Sequence, residues 1–427
     1  MAATFGLGVL ILLLLIALAV PIGFALGLGG VLSLGMLVPT GTIEALMSKV
    51  VRDTSASYVF LTIPMFVLMA EFLSVGRVAE DLFLSCNRVL RKIRGGMAMA
   101  VIVAGAIHAA VTGSSTASAA SLSRASYPAM RRAGYDPGFA VGTATIAGTL
   151  AVMIPPSTAF ILFSLMTDTS VGKLFIAGII PGAITAVGYI VTISLVLKYR
   201  PHLGPKPGAE EEAAKHRTSG RVWPVVLLIA VIVGSLYAGI ATPTEIAAIG
   251  AAGALLVSLS TKRMTRHGFL DAVGTTLRIT TMIITIIFGA HLFGYFISFS
   301  QVTTMMLQWI ADSGISPTMV MLLVVFVYLL LGMVMDQAAI IILTAPISTA
   351  LMVGLGYDPI WWGVIIIKTA EIGLVSPPLG LVTFVVSATS KVDLRRSFIG
   401  VLPYLVMEII ILALLLAFPQ LSLALTG

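Results

Sequence analysis

The sequence predicts an all-α polytopic membrane protein made of two inverted repeats, each with five spans and one re-entrant hairpin, and three observations lead there. Of its 427 residues 58% are hydrophobic and 10% charged, against about 25% charged in an ordinary soluble domain. Runs such as 9–20, 225–234 and 409–418 have no water-facing side. Short motifs also recur at one offset: Gly134-Tyr135-Asp136-Pro137 returns as Gly356-Tyr357-Asp358-Pro359, an offset of 222 (359 − 137). Without a gap Pro155-Pro156 then falls on Pro377-Pro378, Gly178 on Gly400 and Pro181 on Pro403, as in chains with duplicated halves. Finally, 21 of the 25 Lys and Arg cluster in the stretches 77–94, 124–132, 198–221, 262–278 and 391–396. All five lie on one side of a membrane if each half has five crossings plus a hairpin that enters and leaves by the same face.

Five is odd, so the second half is inverted and both termini face outward. The basic stretch 77–94 maps by the offset onto 299–316, which holds no Lys or Arg. The net charge of +7 is therefore read as a positive-inside bias, with nucleic acid excluded as a partner. Cys86 is alone, which rules out an intramolecular disulfide and a multi-cysteine metal site. Residues 1–8 carry no Lys or Arg and no clean cleavage motif follows, so the first apolar run is expected to be a retained helix.

The first repeat, 1–200, is expected to hold spans near 4–20, 22–38, 58–75, 137–167 and 174–198, with a hairpin at 96–130. A cytoplasmic linker, 201–221, follows; it contains Glu210, Glu211, Glu212, Lys215, His216 and Arg217. In the second repeat, 222–427, the spans fall near 223–240, 243–260, 279–299, 359–389 and 397–418, with a hairpin at 317–353. Segments 41–55, 77–94, 264–277 and 300–313 mix charge or amide with apolar residues and are expected to lie along the interface as amphipathic arms.

Non-helical backbone within a bilayer is tolerated only where protein buries it or a wet cavity receives it. Four such places stand out. Gly113-Ser114-Ser115-Thr116 is a polar tip between two apolar helical arms, able to offer hydroxyl and carbonyl oxygens to a cation. Ile154-Pro155-Pro156-Ser157-Thr158 must break the long helix 137–167, because proline removes a donor and restricts the residue before it. Their repeat mates are the tip Met335-Asp336-Gln337-Ala338 and the break Ser376-Pro377-Pro378-Leu379-Gly380 in 359–389. Oxygen-rich tips without a thiol or imidazole cluster favour a hard monovalent cation such as Na⁺. Asp336 is the sharpest residue, since a carboxylate at bilayer depth usually marks an ion path. Lys368 and Glu371 are three apart, able to face one side and pair, and Lys368 is the only basic residue placed deep in the membrane. It is either half of a structural ion pair or a contact for an anionic substrate. Thr242, Pro243 and Glu245 read as a helix start with a capping box. His108 and His291 are expected to be packed, and Glu71 and Glu408 have no evident partner. No nucleophile with a base, Gly-rich phosphate loop or metalloenzyme motif is present, so the chain is not read as an enzyme.

Taken together, these motifs resemble the large membrane subunit of a tripartite ATP-independent periplasmic (TRAP) transporter, the DctM-like family, over essentially the whole length. The matching segments are Gly-Ser-Ser-Thr-Ala-Ser at 113–118, Gly-Tyr-Asp at 134–136, Pro-Pro-Ser at 155–157, Thr-Pro-Thr-Glu at 242–245, Gly-x-x-x-Asp at 332–336 and Glu-Ile-Gly-Leu-Val-Ser-Pro-Pro-Leu-Gly at 371–380. Many family members have Thr where this chain has Ser376, a change that keeps the hydroxyl. The resemblance implies an elevator mechanism in the bacterial inner membrane with periplasmic termini. It also implies two or more coupling Na⁺ and no organic cofactor. A small four-helix membrane subunit on a separate chain and a periplasmic substrate-binding protein that delivers an organic acid are the implied partners. By position, one Na⁺ site would use Ser114, Ser115, Thr116, Ile154, Pro155 and Ser157, and another Asp336, Gln337, Val375, Ser376 and Gly380. Substrate would lie between them, near Thr158, Lys368, Glu371 and Thr383. The alternative is a stand-alone Na⁺/dicarboxylate-type symporter that needs no binding protein; a channel or scaffold fits the broken helices less well.

Overall fold

The computed structural model describes residues 2–56, 58–205 and 222–426. Every regular element among them is helical. In chain order the α-helices are α1 (Ala2–Ala17), α2 (Ile22–Leu34), α3 (Thr40–Ala56), α4 (Thr62–Val75), α5 (Val78–Leu90), α6 (Gly96–Thr112), α7 (Ser115–Arg132), α8 (Pro137–Met153), α9 (Thr158–Thr167) and α10 (Val171–Tyr199). After residue 221 come α11 (Trp223–Tyr237), α12 (Pro243–Ser260), α13 (Arg266–Ser300), α14 (Val302–Ser313), α15 (Pro317–Gly332), α16 (Gln337–Gly354), α17 (Pro359–Val375), α18 (Leu381–Ser390), α19 (Leu394–Ala417) and the short α20 (Gln420–Leu423). Six helical runs among the described residues are long and apolar enough to cross a bilayer, or seven if the pair α4 and α5, bent by 65°, counts as one span. Several apolar helices of 10–17 residues accompany them.

Local chemistry sets the starts and stops. The Asp136 carboxylate accepts from the Gly138 and Phe139 amides at 2.7 and 3.1 Å, and Pro137 supplies a pre-set φ at the first turn of α8. Asp358 does the same for α17 through Ile360 and Trp361 at 2.7 and 3.0 Å. Both helices end where a Pro-Pro pair withholds amide donors, and both pairs are joined by a cis peptide bond. At α12 the capping box is complete: the Thr242 amide donates to Glu245 at 2.7 Å and the Glu245 amide to the Thr242 hydroxyl at 3.3 Å.

Two groups of helices result. α1, α2, α4, α11, α12 and α13 pack on one another and present Leu10, Leu14, Phe24, Leu28, Leu227 and Val231 outward, as lipid-facing helices do. The other group surrounds α8 and α17, whose residues Gly138–Met153 and Ile360–Val375 are all buried. α8 lies against α6, α7, α10 and α19, and α17 against α10, α15, α16 and α19. Small residues permit this closeness: a Cβ on Gly142 would lie 2.2 Å from the Gly400 carbonyl oxygen, and one on Gly373 would lie 2.5 Å from the Gly332 Cα.

Three expectations change. The arm 264–277 and the span 279–299 are one 35-residue helix, α13, whereas the corresponding first-half segment separates into α3, a 3₁₀ turn at Tyr58–Leu61 and α4. Pro64 explains the difference, because its ring excludes the carbonyl four residues back, while Ile286 at the matching position lets the helix continue. The expected arm 77–94 does not simply lie on the interface: α5 packs on α6 and α7 with Asp81, Leu82 and Phe83 buried. Arg263 clamps Asp81 at 2.7 and 3.2 Å. The segment 201–221 begins as a 3₁₀ turn, Pro201–Leu203, whose Leu203 carbonyl accepts the Asp136 amide at 3.1 Å; residues 206–221 lie outside the described residues.

Candidate functional site

The first tip is a sharp reversal between α6 and α7. Gly113 takes φ +60°, a left-handed conformation that costs glycine little, and Ser114 is extended, so α7 starts at Ser115. This tip meets the break that follows α8. The Thr158 hydroxyl donates to the Gly113 carbonyl at 2.7 Å and the Thr158 amide donates to it at 3.3 Å. Pro156, Ser157 and Thr158 share a crevice with Val111, Thr112 and Gly113. In it the Ser157 hydroxyl is fully buried and has no hydrogen-bond partner. A buried hydroxyl oxygen without a donor is costly unless something satisfies it, and hydroxyl and carbonyl oxygens suit a hard cation. Ser114, Ser115, Thr116, Ile154, Pro155, Ser157 and Thr158 all sit on these two segments.

The second tip is organised differently. Asp336 is exposed and caps α16, accepting the Ala338 amide at 3.0 Å. Gln337 joins this tip to α17 by donating to the Ile367 carbonyl at 3.4 Å. That carbonyl lies about two turns before the break, and no hydrogen bond among the described residues links Asp336 to 375–380. The break is stabilised from within: Ser376 donates to the Ile372 carbonyl at 2.6 Å, and Thr383 to the Val375 carbonyl at 3.0 Å across the gap. Gly380 has φ +49°. Pro377, Pro378 and Leu379 are exposed, whereas Pro155, Pro156 and Ser157 are buried. The first tip and break are thus closed together and the second pair is open.

Lys368 does not pair with Glu371 as the spacing suggests. Its ammonium is 2.6 Å from Glu408 on α19 and donates to the Thr185 hydroxyl on α10 at 3.1 Å. Tyr189 donates to the other Glu408 oxygen and shares a hydrogen bond of 3.0 Å with Thr149 on α8. Tyr404 stands edge-on to Tyr189 and meets Thr143 at 2.8 Å. Lys368 and Glu408 are each only 1% exposed. Glu408, Tyr189, Thr185 and Thr149 were not anticipated as partners. The signal available was charge matching, since a lone deep Lys demands a carboxylate at the same depth. Glu371 is left with neither oxygen at hydrogen-bond geometry to a donor.

At the edge of the core group Arg396 holds Asp136 at 2.7 Å, tying the start of α19 to that of α8. Burial alone would raise the Asp136 pKa, but the Arg396 hydrogen bond and charge and the Phe139 and Gly138 amides outweigh it and leave it below the ordinary carboxylate value. Of the two histidines on apolar helices, His108 and His291, the first is packed, with neither ring nitrogen hydrogen-bonded. His291 is not packed away: with Lys49, Asp53, Asp168 and Tyr295 it lines a cavity of about 680 Å³ where α3, α9 and α13 meet. Among the described residues no three His, Cys, Asp or Glu gather as a metal site.

Comparison with known proteins adds sequence and fold likeness. Residues 9–421 match the family model described as tripartite ATP-independent periplasmic transporter, DctM component. The chain is 36% identical over 404 residues to the C4-dicarboxylate TRAP transporter large permease protein DctM of Pseudomonas aeruginosa, covering 94% of this chain and 93% of that one. It is 28% identical to the sialic acid TRAP transporter large permease protein SiaM of Vibrio cholerae, covering 86% of each. In fold it is similar to the Alcanivorax borkumensis YdaH transporter, with a TM-score of 0.64 at 13% identity over 89% of both chains.

Proposed function

The chain belongs to the DctM component family of tripartite ATP-independent periplasmic transporters, and from that premise we propose that it imports an organic acid, delivered by a periplasmic binding protein, by Na⁺-coupled alternating access. The relatives named for C4-dicarboxylates and sialic acid support an acidic substrate. A small separate membrane subunit completes the assembly.

The observation that carries this reading is the contact between the Gly113 tip and the break at the end of the wholly buried helix α8, with a second tip and break at the matching positions beside α17. On the side of α8, Gly113, Ser114, Ser115 and Thr116 face Ile154, Pro155 and Ser157 as one Na⁺ site, with the unpartnered Ser157 hydroxyl as the clearest free ligand. On the side of α17, Asp336 and Gln337 with Val375, Ser376 and Gly380 form the second, completed when the open tip closes on its break. Substrate binds between the two, near Thr158 and Thr383, with Lys368 and Glu371 on α17 behind them. The amide donors of a new helix start at Thr158 and at Leu381 suit a carboxylate.

The halves 1–200 and 222–427 are inverted repeats, a reading supported by the 222-residue offset of their motifs and by the basic stretches gathering on one side. The peripheral group is the scaffold, and the group around α8 and α17 is the moving elevator. The test is uptake of labelled organic acids into proteoliposomes holding this chain and its small membrane partner, with and without the binding protein and an inward Na⁺ gradient. Uptake that needs both is expected. Uptake by this chain alone would make it a stand-alone symporter, and uptake indifferent to Na⁺ would end the coupling reading.

A further inference from the structure

We infer that Tyr189 is a positioning residue through which the Na⁺ site at the α8 break and the one at the α17 break fill cooperatively. The inference rests on the Na⁺-coupled reading above and adds no ion to it. Tyr189 is fully buried, and its hydroxyl joins the two halves of the chain. It donates to one Glu408 oxygen, while the other Glu408 oxygen lies 2.6 Å from the Lys368 ammonium on α17. With its proton committed there, the Tyr189 oxygen accepts from Thr149 on α8 at 3.0 Å, and Thr149 shares that proton with the Ile146 carbonyl at 2.7 Å. Lys368 in turn donates at 3.1 Å to Thr185, one turn before Tyr189 on α10.

Packing alone does not call for this arrangement. The 222-residue offset sets Ile146 against Lys368 and Ala186 against Glu408, so apolar residues fill the mate positions of the charged pair. Exchanging a buried pair for apolar residues is often neutral or favourable for stability. What the polar set adds is direction. α8 and α17 also pack on each other, but apolar contact is non-directional, whereas a hydrogen bond to a carboxylate fixes distance and angle. Thr149 lies 5 residues before Ile154 (154 − 149) and Lys368 lies 7 before Val375 (375 − 368), where the two breaks begin. A Na⁺ that fixes the end of α8 therefore fixes, through Thr149, Tyr189, Glu408 and Lys368, the end of α17 on which the open second tip must close. The second ion then meets a prearranged break, which is positive cooperativity.

The experiment measures equilibrium ²²Na⁺ binding isotherms of the purified full-length chain for wild type, Tyr189→Phe and Tyr404→Phe, with thermal unfolding confirming the fold. Tyr404→Phe is the matched control. It too deletes a buried hydroxyl bonded to a threonine of α8, Thr143 at 2.8 Å, but one with no hydrogen bond to the charged pair among the described residues. Wild type and Tyr404→Phe are expected to bind with a Hill coefficient approaching about 2, and Tyr189→Phe with one of about 1 at an unchanged number of ions. A Tyr189→Phe isotherm as steep as wild type overturns the inference. An equal loss of steepness in both variants overturns it too, because lost packing then explains the change. If Tyr189→Phe does not fold, Thr149→Val, which cuts the same link from α8, decides by the same reading. Wild-type chain that binds Na⁺ with a Hill coefficient of about 1 overturns the inference alone. Wild-type chain that binds none removes the coupled-transport reading as well, which separates the two failures.

Discussion

Asp336 and Lys368 show how differently two charges can be placed in one membrane protein. Asp336 is exposed at its tip and already useful as the cap of α16, so its charge and its capping role can be separated. Asp336→Asn keeps a good N-cap and is expected to retain stability while losing Na⁺-dependent uptake. Asp336→Ala should lose uptake and, with the cap gone, about 0.5–2 kcal/mol of stability as well. Wild-type Na⁺ dependence in the Asn variant would remove the carboxylate from the coupling site. Lys368 is the opposite case, enclosed and committed to Glu408. Removing one partner of a buried pair leaves a bare charge, so Lys368→Met alone is expected to cost about 3–5 kcal/mol, and Lys368→Met with Glu408→Leu much less. A thermal-unfolding double-mutant cycle measures that difference; additive losses would show that the two groups are not coupled.

At the scale of elements, the start of α12 was legible because its determinants are local. Thr-Pro-Thr-Glu at 242–245 reads as a cap and is one, while the Asp-Pro pairs at 136–137 and 358–359, which the sequence marks only as a repeat, turn out to cap α8 and α17. The Pro-Pro breaks followed from the missing amide donors. What local reading could not weigh was Pro64 against Ile286, one residue that makes two elements of one half and a single helix of the other. The tie between α8 and α19 through Asp136 and Arg396 gives a pH signature. Because the Asp136 carboxyl titrates below its ordinary value of about 3.9, its contribution to stability is fully present above that value. The contribution is lost as pH falls through the lowered one. Asp136→Asn should therefore flatten the acid limb of the stability profile below about pH 4, and thermal unfolding across pH 3–7 checks it. An acid limb identical to wild type would mean that other carboxylates carry the acid sensitivity.

For the whole molecule, the arrangement that matters is the division between a lipid-facing group of helices and a group wrapped around α8 and α17. The proposed inverted topology makes a direct prediction. Cys86 is the single cysteine, so Cys86→Ala provides a background for single-cysteine labelling. A cysteine at Leu425 is expected to react with an impermeant maleimide from the outside of intact cells, and one at His202 only after lysis. Labelling of both from the same side would overturn the odd number of crossings per half.

The amino-acid sequence by itself determined the membrane class, the family and the places where Pro-Pro pairs stop α8 and α17, because composition and proline chemistry act over a few residues. Only the tertiary structure decided who pairs with whom: that Lys368 takes Glu408 from α19 rather than Glu371 one turn away, and that the first tip closes on its break while the second stays open. The reason is physical. Spacing along one helix says which side chains are able to meet, but in a buried site the lowest-energy partner is the one that neutralises charge with the most hydrogen bonds. For Lys368 those bonds came from helices α10 and α19, far off in the chain and brought close by packing.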